Sequence, residues 1–188
     1  MIFIDENIKL GKTLSYLLRH NPESIGIKLD EKGYADVSEL LEAMKKSRYK
    51  INMKILENIV DTNDKKRYSF NEDKTKIRAN QGHSIDVDVE LKEIIPPDTL
   101  YHGTASRFIN SIKKLGLLKQ NRNYVHLSLD EKTAFKVGSR HGKPVVLIID
   151  SKAMHNDGCK FYLSENGVYL TDNVPVKYIE FGDYMEII

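Results

Sequence analysis

The sequence DVSELLEAMKKSRYKINMKILENIVDTNDKKRYSFNEDKTKIRA, residues 36–79, decides the fold of the first half of the chain. Apolar residues at helical spacing predict one helix after Asp36 and another after Asn52, because both side chains can cap a helix N-terminus. Alternating runs at 67–70 and 75–79 predict the two strands of a hairpin. The stretch is therefore expected to form two helices followed by a hairpin.

Upstream of this stretch, the sequence predicts one more helix and a short strand. Leucines at helical spacing indicate the helix, which ends at about Arg19 and His20, because the backbone of Asn21 is disfavoured in a helix by the proline that follows it. The alternating apolar residues of 25–29 predict the strand. Helix, strand, helix, helix and hairpin is the order of a winged-helix domain, which we expect over residues 1–90.

Downstream, the pattern changes from helices to strands. Residues 81–99 are poorly periodic, rich in acids and end in Pro96-Pro97, so we expect the domain boundary there. An amphipathic run at 108–115 predicts a helix that is stopped by Gly116. Further runs predict strands at 100–102, 125–129, 145–150, 161–163, 168–171 and 176–181. The chain is thus expected to be α+β, with a mixed or antiparallel sheet in residues 91–188.

Composition limits the possible function classes. The 188 residues are 40% hydrophobic and 30% charged, which is ordinary for a globular protein, and the net charge of +2 does not by itself indicate nucleic acid. Residues 45–78 nevertheless hold eleven basic and five acidic side chains, which suits either a phosphate backbone or a solvated surface. The single cysteine, Cys159, can form no internal disulfide, so we expect a reducing, cytoplasmic setting. Residues 1–7 hold two acids and no basic residue, and the longest apolar stretches, such as 145–149, are far too short to span a membrane, so we expect neither a signal peptide nor a membrane helix.

Common nucleotide and metal motifs are missing from the sequence. There is no P-loop ending in Lys-Ser or Lys-Thr and no G-x-G-x-x-G after a strand. The six histidines form neither an H-x-H nor an H-E-x-x-H pair. These absences argue against Walker-type hydrolysis, Rossmann dehydrogenation and metal catalysis.

Polar clusters stand instead at the ends of predicted elements, where a scaffold can present side chains to a ligand. Arg19-His20 closes the first helix, and Arg67 lies in the hairpin. His126 and Ser128 share one face of a predicted strand, because side chains alternate along it. Other clusters are Tyr101 to Thr104, and Gly138 to Gly142 with Arg140 in its middle. Taken alone, each has an ordinary structural explanation, such as the favourable charge of Arg19 at a helix C-terminus.

Taken together, these clusters resemble the NAD-dependent RNA 2′-phosphotransferases, the KptA group. The resemblance extends from about Leu10 to Phe181. Its motifs are LSYLLRHNP (14–22), KRY (66–68), RANQGHS (78–84), LYHGT (100–104), VHLS (125–128), VGSRHG (137–142) and NGVYLT (166–171). Seven motifs in the family's order are far more specific than any one of them.

The resemblance implies a fold, a reaction and partners. It implies a winged-helix RNA-binding lobe over residues 1–90, followed by an ADP-ribosyltransferase-like, NAD-binding lobe over residues 91–188. The implied reaction moves an internal RNA 2′-phosphate, of the tRNA splice-junction type, to NAD as co-substrate. A phospho-ADP-ribosylated RNA intermediate would give 2′-hydroxyl RNA, ADP-ribose 1″,2″-cyclic phosphate and nicotinamide, without a metal. We expect a cytoplasmic monomer with no membrane partner.

The same motifs assign roles to individual residues. The family's catalytic set corresponds to Arg19, His20, Arg67 and Arg140. The NAD-binding positions correspond to His102, Gly103, Thr104, Ser128 and Arg140. The RNA-binding positions correspond to Lys66, Arg78, Gln81 and His83. Three arginines and a histidine suit an anionic phosphate, because forked, permanently charged donors can bind and aim it.

Two alternatives belong to other function classes. A winged-helix DNA-binding regulator with a ligand-sensing second domain would bind duplex DNA and release no nicotinamide. A protein ADP-ribosyltransferase commonly carries a glutamate late in the domain, where this sequence has Val168. Neither alternative accounts for the joint presence of Arg19, His20, Arg67 and Arg140.

Overall fold

The computed structural model describes the backbone of residues 2–182 and the side chains of residues 7–182. The chain divides into two compact units, Met1–Glu90 and Leu91–Ile188, called unit 1 and unit 2 below. Each unit has its own cluster of buried apolar side chains. The α+β class predicted from the sequence is confirmed, whereas the winged-helix and ADP-ribosyltransferase-like descriptions stay predictions.

The described residues of unit 1, 2–90, form three α-helices and a short 3-10 helix. They are α1 (Ile2–Arg19), the 3-10 helix (Pro22–Ile25), α2 (Val37–Lys46) and α3 (Met53–Asp61). Asp36 and Asn52 cap α2 and α3 as predicted, because their side-chain oxygens accept hydrogen bonds from the backbone N–H groups of Glu39 and Ile55. The basic residues Lys45 and Lys46 complement the negative C-terminal end of α2.

An antiparallel sheet of three strands completes unit 1. Its strands are β1 (Tyr34–Asp36), β2 (Tyr68–Phe70) and β3 (Lys76–Ala79), in the spatial order β1-β3-β2. Tyr68 fastens β2 to α1, because its hydroxyl donates to the Gly11 carbonyl and also bonds the Ser15 hydroxyl. Ile77 of β3 is fully buried with Leu14 of α1 in the core of the unit. The predicted hairpin is therefore held against the first helix.

The prediction of a strand at residues 25–29 is wrong. Ser24 and Ile25 belong to the 3-10 helix, which is followed by Gly26 in the left-handed conformation with φ +77°. Ile27 is buried and Leu29 half-buried, so the alternation reflects burial without a paired strand. The first strand starts only at Tyr34, after a turn in which the Asp30 side chain accepts from the Tyr34 N–H.

Unit 2 is built on antiparallel pairs of short strands. Its strands are β4 (Lys92–Ile94), β5 (Thr99–Ala105), β6 (Leu117–Leu118), β7 (Val125–Leu127), β8 (Pro144–Asp150), β9 (Phe161–Leu163), β10 (Tyr169–Thr171), β11 (Asn173–Val174) and β12 (Ile179–Phe181). They form a four-stranded sheet β4-β9-β10-β7, a three-stranded sheet β12-β8-β5 and the pair β11-β6. The helices are α4 (Ile109–Leu115), α5 (Glu131–Gly138) and α6 (Ser151–Asn156).

Helix α5 lies unusually close to β5. A Cβ atom added at Gly103 of β5 would stand 1.7 Å from the Ala134 carbonyl oxygen of α5. A Cβ added at Gly138 would stand 2.5 Å from the Thr104 carbonyl oxygen. Both positions therefore require glycine, because the backbones of strand and helix occupy the space that a side chain would need.

Several elements of unit 2 depart from the sequence prediction. β4 lies inside the segment that was expected to be a linker, and neither α5 nor α6 was predicted. Residues 176–178, expected to begin the last strand, form a 3-10 helix instead. Among the described helices, none is both long and apolar enough to cross a membrane.

Candidate functional site

The C-terminal end of α1 presents Arg19 and His20 to a single segment that follows β3. Arg19 is the last residue of α1, and its carbonyl oxygen accepts a hydrogen bond from the Ser84 N–H over 3.0 Å. The Ser84 hydroxyl lies 2.9 Å from Nδ1 of His20. Gly82 adopts φ +88°, and its Cβ position lies 3.6 Å from the Arg19 guanidinium. Residues 82–84 thus wrap around the helix end that carries both predicted catalytic residues.

Residues 82–84 also include a buried histidine, His83, whose pKa depends on the charges around it. His83 is only 3% exposed, and its Nε2 has no hydrogen-bond partner among the described residues. Burial, helped by the positive charges of Arg19, His20 and Arg78, lowers the pKa of His83 to about 4. His83 is therefore neutral at pH 7 and stands in a positive environment suited to an anion.

Arg67 is held by neighbours in the turn that precedes β2. Its backbone N–H and its Nη1 both donate to the Asn63 side-chain oxygen, over 3.2 and 3.3 Å. Its carbonyl oxygen accepts from the Asn80 N–H over 2.9 Å. Asn80 also donates from its side chain to the carbonyl oxygen of Lys66, which has φ +40°. Residues 80–84, called the exit segment below, therefore contact both Arg67 and the Arg19-His20 pair.

The residues assigned to RNA binding differ in accessibility. Arg78 is 5% exposed, stacks over the Tyr34 ring at 4.6 Å and pairs with Glu90 at 3.3 Å. Glu90 also accepts from Lys32, and this hydrogen bond is the main reason that its pKa is lowered. Lys66 is exposed and Gln81 half-buried. Arg78 therefore has a clear structural role in unit 1, whereas the side chain of Lys66 lies open to solvent.

A second polar cluster lies in unit 2, where β5 passes β7. Tyr101 and Ser128 exchange backbone hydrogen bonds of 2.9 and 2.7 Å, which join the two strands. Nδ1 of His102 lies 3.0 Å from the His126 carbonyl oxygen, so this nitrogen carries the proton and Nε2 is left as an acceptor. Burial, with smaller contributions from Arg122 and His141, lowers the pKa of His102. A neutral ring with a bare nitrogen can accept a hydrogen bond from a ligand hydroxyl.

The structure adds Arg122 and His126 to this cluster. Nη1 of Arg122 lies 3.3 Å from Nδ1 of His126. Because an arginine only donates, Nδ1 accepts and the His126 proton resides on Nε2. The sequence predicts His126 on a strand face without indicating a role for it, and Arg122 lies in the turn before β7, outside the motifs. No local pattern distinguishes Arg122 from other basic surface residues, because its contact with His126 exists only in the folded chain.

The other predicted residues of unit 2 have different surroundings. Gly103 approaches α5, as described above, so the close approach expected there is made by the protein's own backbone. Thr104 is 7% exposed. Arg140 is exposed in the turn after α5, where its N–H donates to the Val137 carbonyl oxygen. Arg19, His20, Arg67 and the RNA-side residues thus belong to unit 1, while Arg140 and the NAD-side residues belong to unit 2.

Metal ligands do not gather at either cluster. Across the residues that the structure describes, no group of three or more histidine, cysteine or acidic side chains is arranged to hold a metal ion. Cys159 is a free, half-buried thiol, and the nearby His155 is also half-buried.

Comparison with known proteins identifies the family. The model of the RNA 2′-phosphotransferase, Tpt1 / KptA family matches residues 5–173. A probable RNA 2′-phosphotransferase of Flavobacterium johnsoniae is 56% identical over 95% of this chain and 99% of its own length. Proteins of the same description from Fusobacterium nucleatum and Burkholderia pseudomallei are 56% and 49% identical, over 95% and 92% of this chain and 100% and 94% of their own lengths. The chain belongs to the RNA 2′-phosphotransferase family and is therefore a transferase.

Proposed function

We propose that the protein transfers an internal 2′-phosphate of RNA to NAD, releasing nicotinamide and ADP-ribose 1″,2″-cyclic phosphate. The observation that carries this proposal is the exit segment, which bonds the backbones of both Arg67 and Arg19 and holds the His20 ring. One short piece of chain thus brings together two arginines and a histidine from distant parts of the sequence. The substrate class is RNA with a 2′-phosphate of the tRNA splice-junction type.

The unit 1 cluster has the chemistry of a phosphate site. The exit segment contains no acidic residue, and the charges that lower the pKa of His83 are all positive. Arginine forks bind phosphate oxygens in pairs, and a phosphate in this position can be both neutralised and aimed. An anionic phosphate is already a nucleophile, so its attack needs positioning rather than a general base.

In the first step, a phosphate oxygen attacks the anomeric carbon of the nicotinamide ribose, and the bond to nicotinamide breaks. NAD acts as a substrate that is consumed in this step. The bare Nε2 of His102 fits a ribose hydroxyl as hydrogen-bond acceptor, and Thr104 and Ser128 offer hydroxyl groups from β5 and the end of β7. The phosphate becomes a diester between the RNA 2′-oxygen and ADP-ribose.

In the second step, the ribose 2″-hydroxyl attacks phosphorus, and the RNA 2′-oxygen leaves. A proton must pass from the attacking hydroxyl to the leaving oxygen, and His20 is the histidine of unit 1 that remains exposed to carry it. Negative charge grows on the phosphoryl oxygens, which Arg67 stabilises. The products are RNA with a free 2′-hydroxyl and the cyclic phosphate.

Two arginines of unit 2 are candidates for a further cation in this reaction. Arg140 is assigned by its motif position, in a turn where it is exposed. Arg122 is favoured by its contact with His126 and by its effect on the pKa of His102. The proposal includes both arginines. Replacing each in turn by alanine and measuring turnover shows which of them the reaction needs.

The apolar side chain of Val168 favours phosphate as the nucleophile of the first step over a neutral protein side chain or hydroxyl group. Its N–H bonds the Ser164 hydroxyl in the turn between β9 and β10, and its side chain offers no base. A neutral acceptor would need a nearby general base to remove its proton in the first step, whereas a phosphate has already lost it. The DNA-binding regulator is not favoured, because the whole-length relatives are named as transferases.

The proposal is tested by the variant Arg67→Ala on an oligoribonucleotide with one internal 2′-phosphate. Loss of one preorganised donor costs on the order of 100-fold in the chemical step. We expect the slower second step to let the phospho-ADP-ribosylated RNA accumulate, as seen by mass spectrometry. Lys12→Ala is the matched control, because Lys12 is an exposed cation of α1 that lies seven residues before Arg19. An unchanged rate in Arg67→Ala would remove Arg67 from the mechanism.

A further inference from the structure

We propose that Ser84 is a positioning residue that orients the His20 ring, an inference that rests on the proposed function. Ser84 makes two separate bonds to the end of α1. Its N–H donates to the Arg19 carbonyl oxygen over 3.0 Å, and its hydroxyl lies 2.9 Å from Nδ1 of His20. One residue of the exit segment thus fixes both the helix end and the ring beside it.

The backbone bond explains why Ser84 stays in place. The last carbonyl groups of a helix have no partner within the helix, and the Arg19 carbonyl finds one in the Ser84 N–H. Gly82 lets the chain approach closely at φ +88°, with its Cβ position 3.6 Å from Arg19. His83 then anchors the segment, because its ring is 3% exposed. The serine hydroxyl is therefore carried on a backbone that is held by the bond to Arg19 and by the buried His83 before it.

A hydroxyl partner suits a histidine that exchanges a proton. When Nδ1 carries a proton, it donates to the serine oxygen, and when Nδ1 is bare, the hydroxyl rotates and donates to it. The ring therefore keeps its orientation in both protonation states, because the bond at Nδ1 persists in each. A carboxylate at this position would instead favour the charged ring and would add negative charge beside the phosphate.

A second neighbour of His20, Tyr16, holds the ring less strictly than Ser84 does. Tyr16 lies one helical turn earlier, with ring centroids 6.1 Å apart and planes tilted by 46°. Such a contact limits the space around the ring without selecting one nitrogen. The Ser84 hydroxyl makes a directional bond to a named nitrogen, which is what proton transfer in the second step requires.

The test compares Ser84→Ala, Ser84→Thr and Ser47→Ala. Alanine removes the hydroxyl but keeps the N–H bond to Arg19, threonine keeps both, and Ser47 is an exposed serine at the end of α2. We expect kcat to fall about tenfold or more in Ser84→Ala with KM for the RNA nearly unchanged, since a misplaced group weakens the transition state more than binding. Ser84→Thr should restore most of kcat, and Ser47→Ala should match the wild type.

A spectroscopic arm tests the same inference without turnover. The ¹³C and ¹⁵N signals of the His20 ring, assigned by comparison with His20→Gln, should move in Ser84→Ala and stay in place in Ser47→Ala. Wild-type kcat in Ser84→Ala, an equal loss in Ser84→Thr, or unmoved ring signals would overturn the role of Ser84. An inactive wild-type protein would contradict the proposed function instead, and the ring signals would still decide the contact.

Discussion

The close approach of α5 to β5 predicts that Gly103→Ala destabilises unit 2. The added methyl carbon would lie 1.7 Å from the Ala134 carbonyl oxygen, 2.5 Å from its carbonyl carbon and 2.9 Å from the Gly138 nitrogen. All three are backbone atoms, so no rotamer change relieves the clash. Helix α5 would have to move by more than an ångström, which would also disturb the Gly138 contact with Thr104.

The size of the effect follows from the cost of overpacking. Inserted methyl groups in packed sites cost about 1–3 kcal/mol, and a clash against rigid backbone belongs at or above the upper end, roughly 3 kcal/mol. For a domain of about 100 residues, each kcal/mol lowers Tm by about 4–8 °C. We therefore expect a decrease in Tm of about 12 °C or more in the transition of unit 2, followed by circular dichroism.

Gly11→Ala is the matched control. Gly11 lies inside α1, and its added Cβ would meet only the Ile59 side chain at an ordinary 3.7 Å. The same chemical change should there stabilise the protein by roughly 0.5–1 kcal/mol, because alanine favours a helix. A Gly103→Ala protein with wild-type Tm would refute the claim that backbone contact fixes glycine at this position.

Two further predictions concern charge. Because the pKa of His83 falls to about 4 on folding from about 6.5 in the unfolded chain, the unfolded state binds more protons between these pH values, so stability rises with pH across this window. Urea unfolding at pH 5 and pH 7.5 measures this dependence, and we expect His83 to make the free energy of unfolding about 2 kcal/mol lower at pH 5 than at pH 7.5. The same pH dependence in His83→Gln would contradict this expectation. We expect NAD-dependent turnover to fall in both Arg122→Ala and Arg140→Ala, whereas the control Arg107→Ala, at an exposed arginine, should keep the wild-type rate. If either variant turns over as fast as the control, its arginine takes no part in the reaction.

The sequence predicted best where local chemistry is sufficient. The helices after Asp36 and Asn52 were predicted because each cap bonds an N–H three residues later, a pattern visible within one turn. The end of α1 at Arg19 was predicted because Pro22 follows closely. These elements needed no information from distant parts of the chain.

Elements that depend on distant contacts were missed or misread. Helix α5 carries few large apolar residues and packs through Gly138, so its glycine looked like part of a turn. β4 has no apolar alternation of its own and exists because β9 pairs with it, at Ile94 and Phe161 among others. The alternation at 25–29 was read as a strand, although burial alone produces it.

The sequence predicts which residues belong to the candidate site, but it does not predict how they contact one another. The motifs indicated Arg19, His20 and Arg67, but not that residues 80–84 bond the backbones of both arginines. Ser84 and Arg122 were not singled out, because their contacts with histidines depend on folding. Nothing in a list of motifs tells which side chain touches which ring nitrogen.

The most direct test of the central claim follows one RNA oligonucleotide with a single internal 2′-phosphate, incubated with the purified protein with and without NAD. Mass spectrometry would measure both the RNA and the small-molecule products. We predict loss of the 2′-phosphate only when NAD is present, with one nicotinamide and one ADP-ribose cyclic phosphate formed per phosphate removed. The account would be contradicted if the RNA kept its 2′-phosphate at every NAD concentration while the protein was folded. It would also be contradicted if the RNA lost this group as free phosphate without NAD.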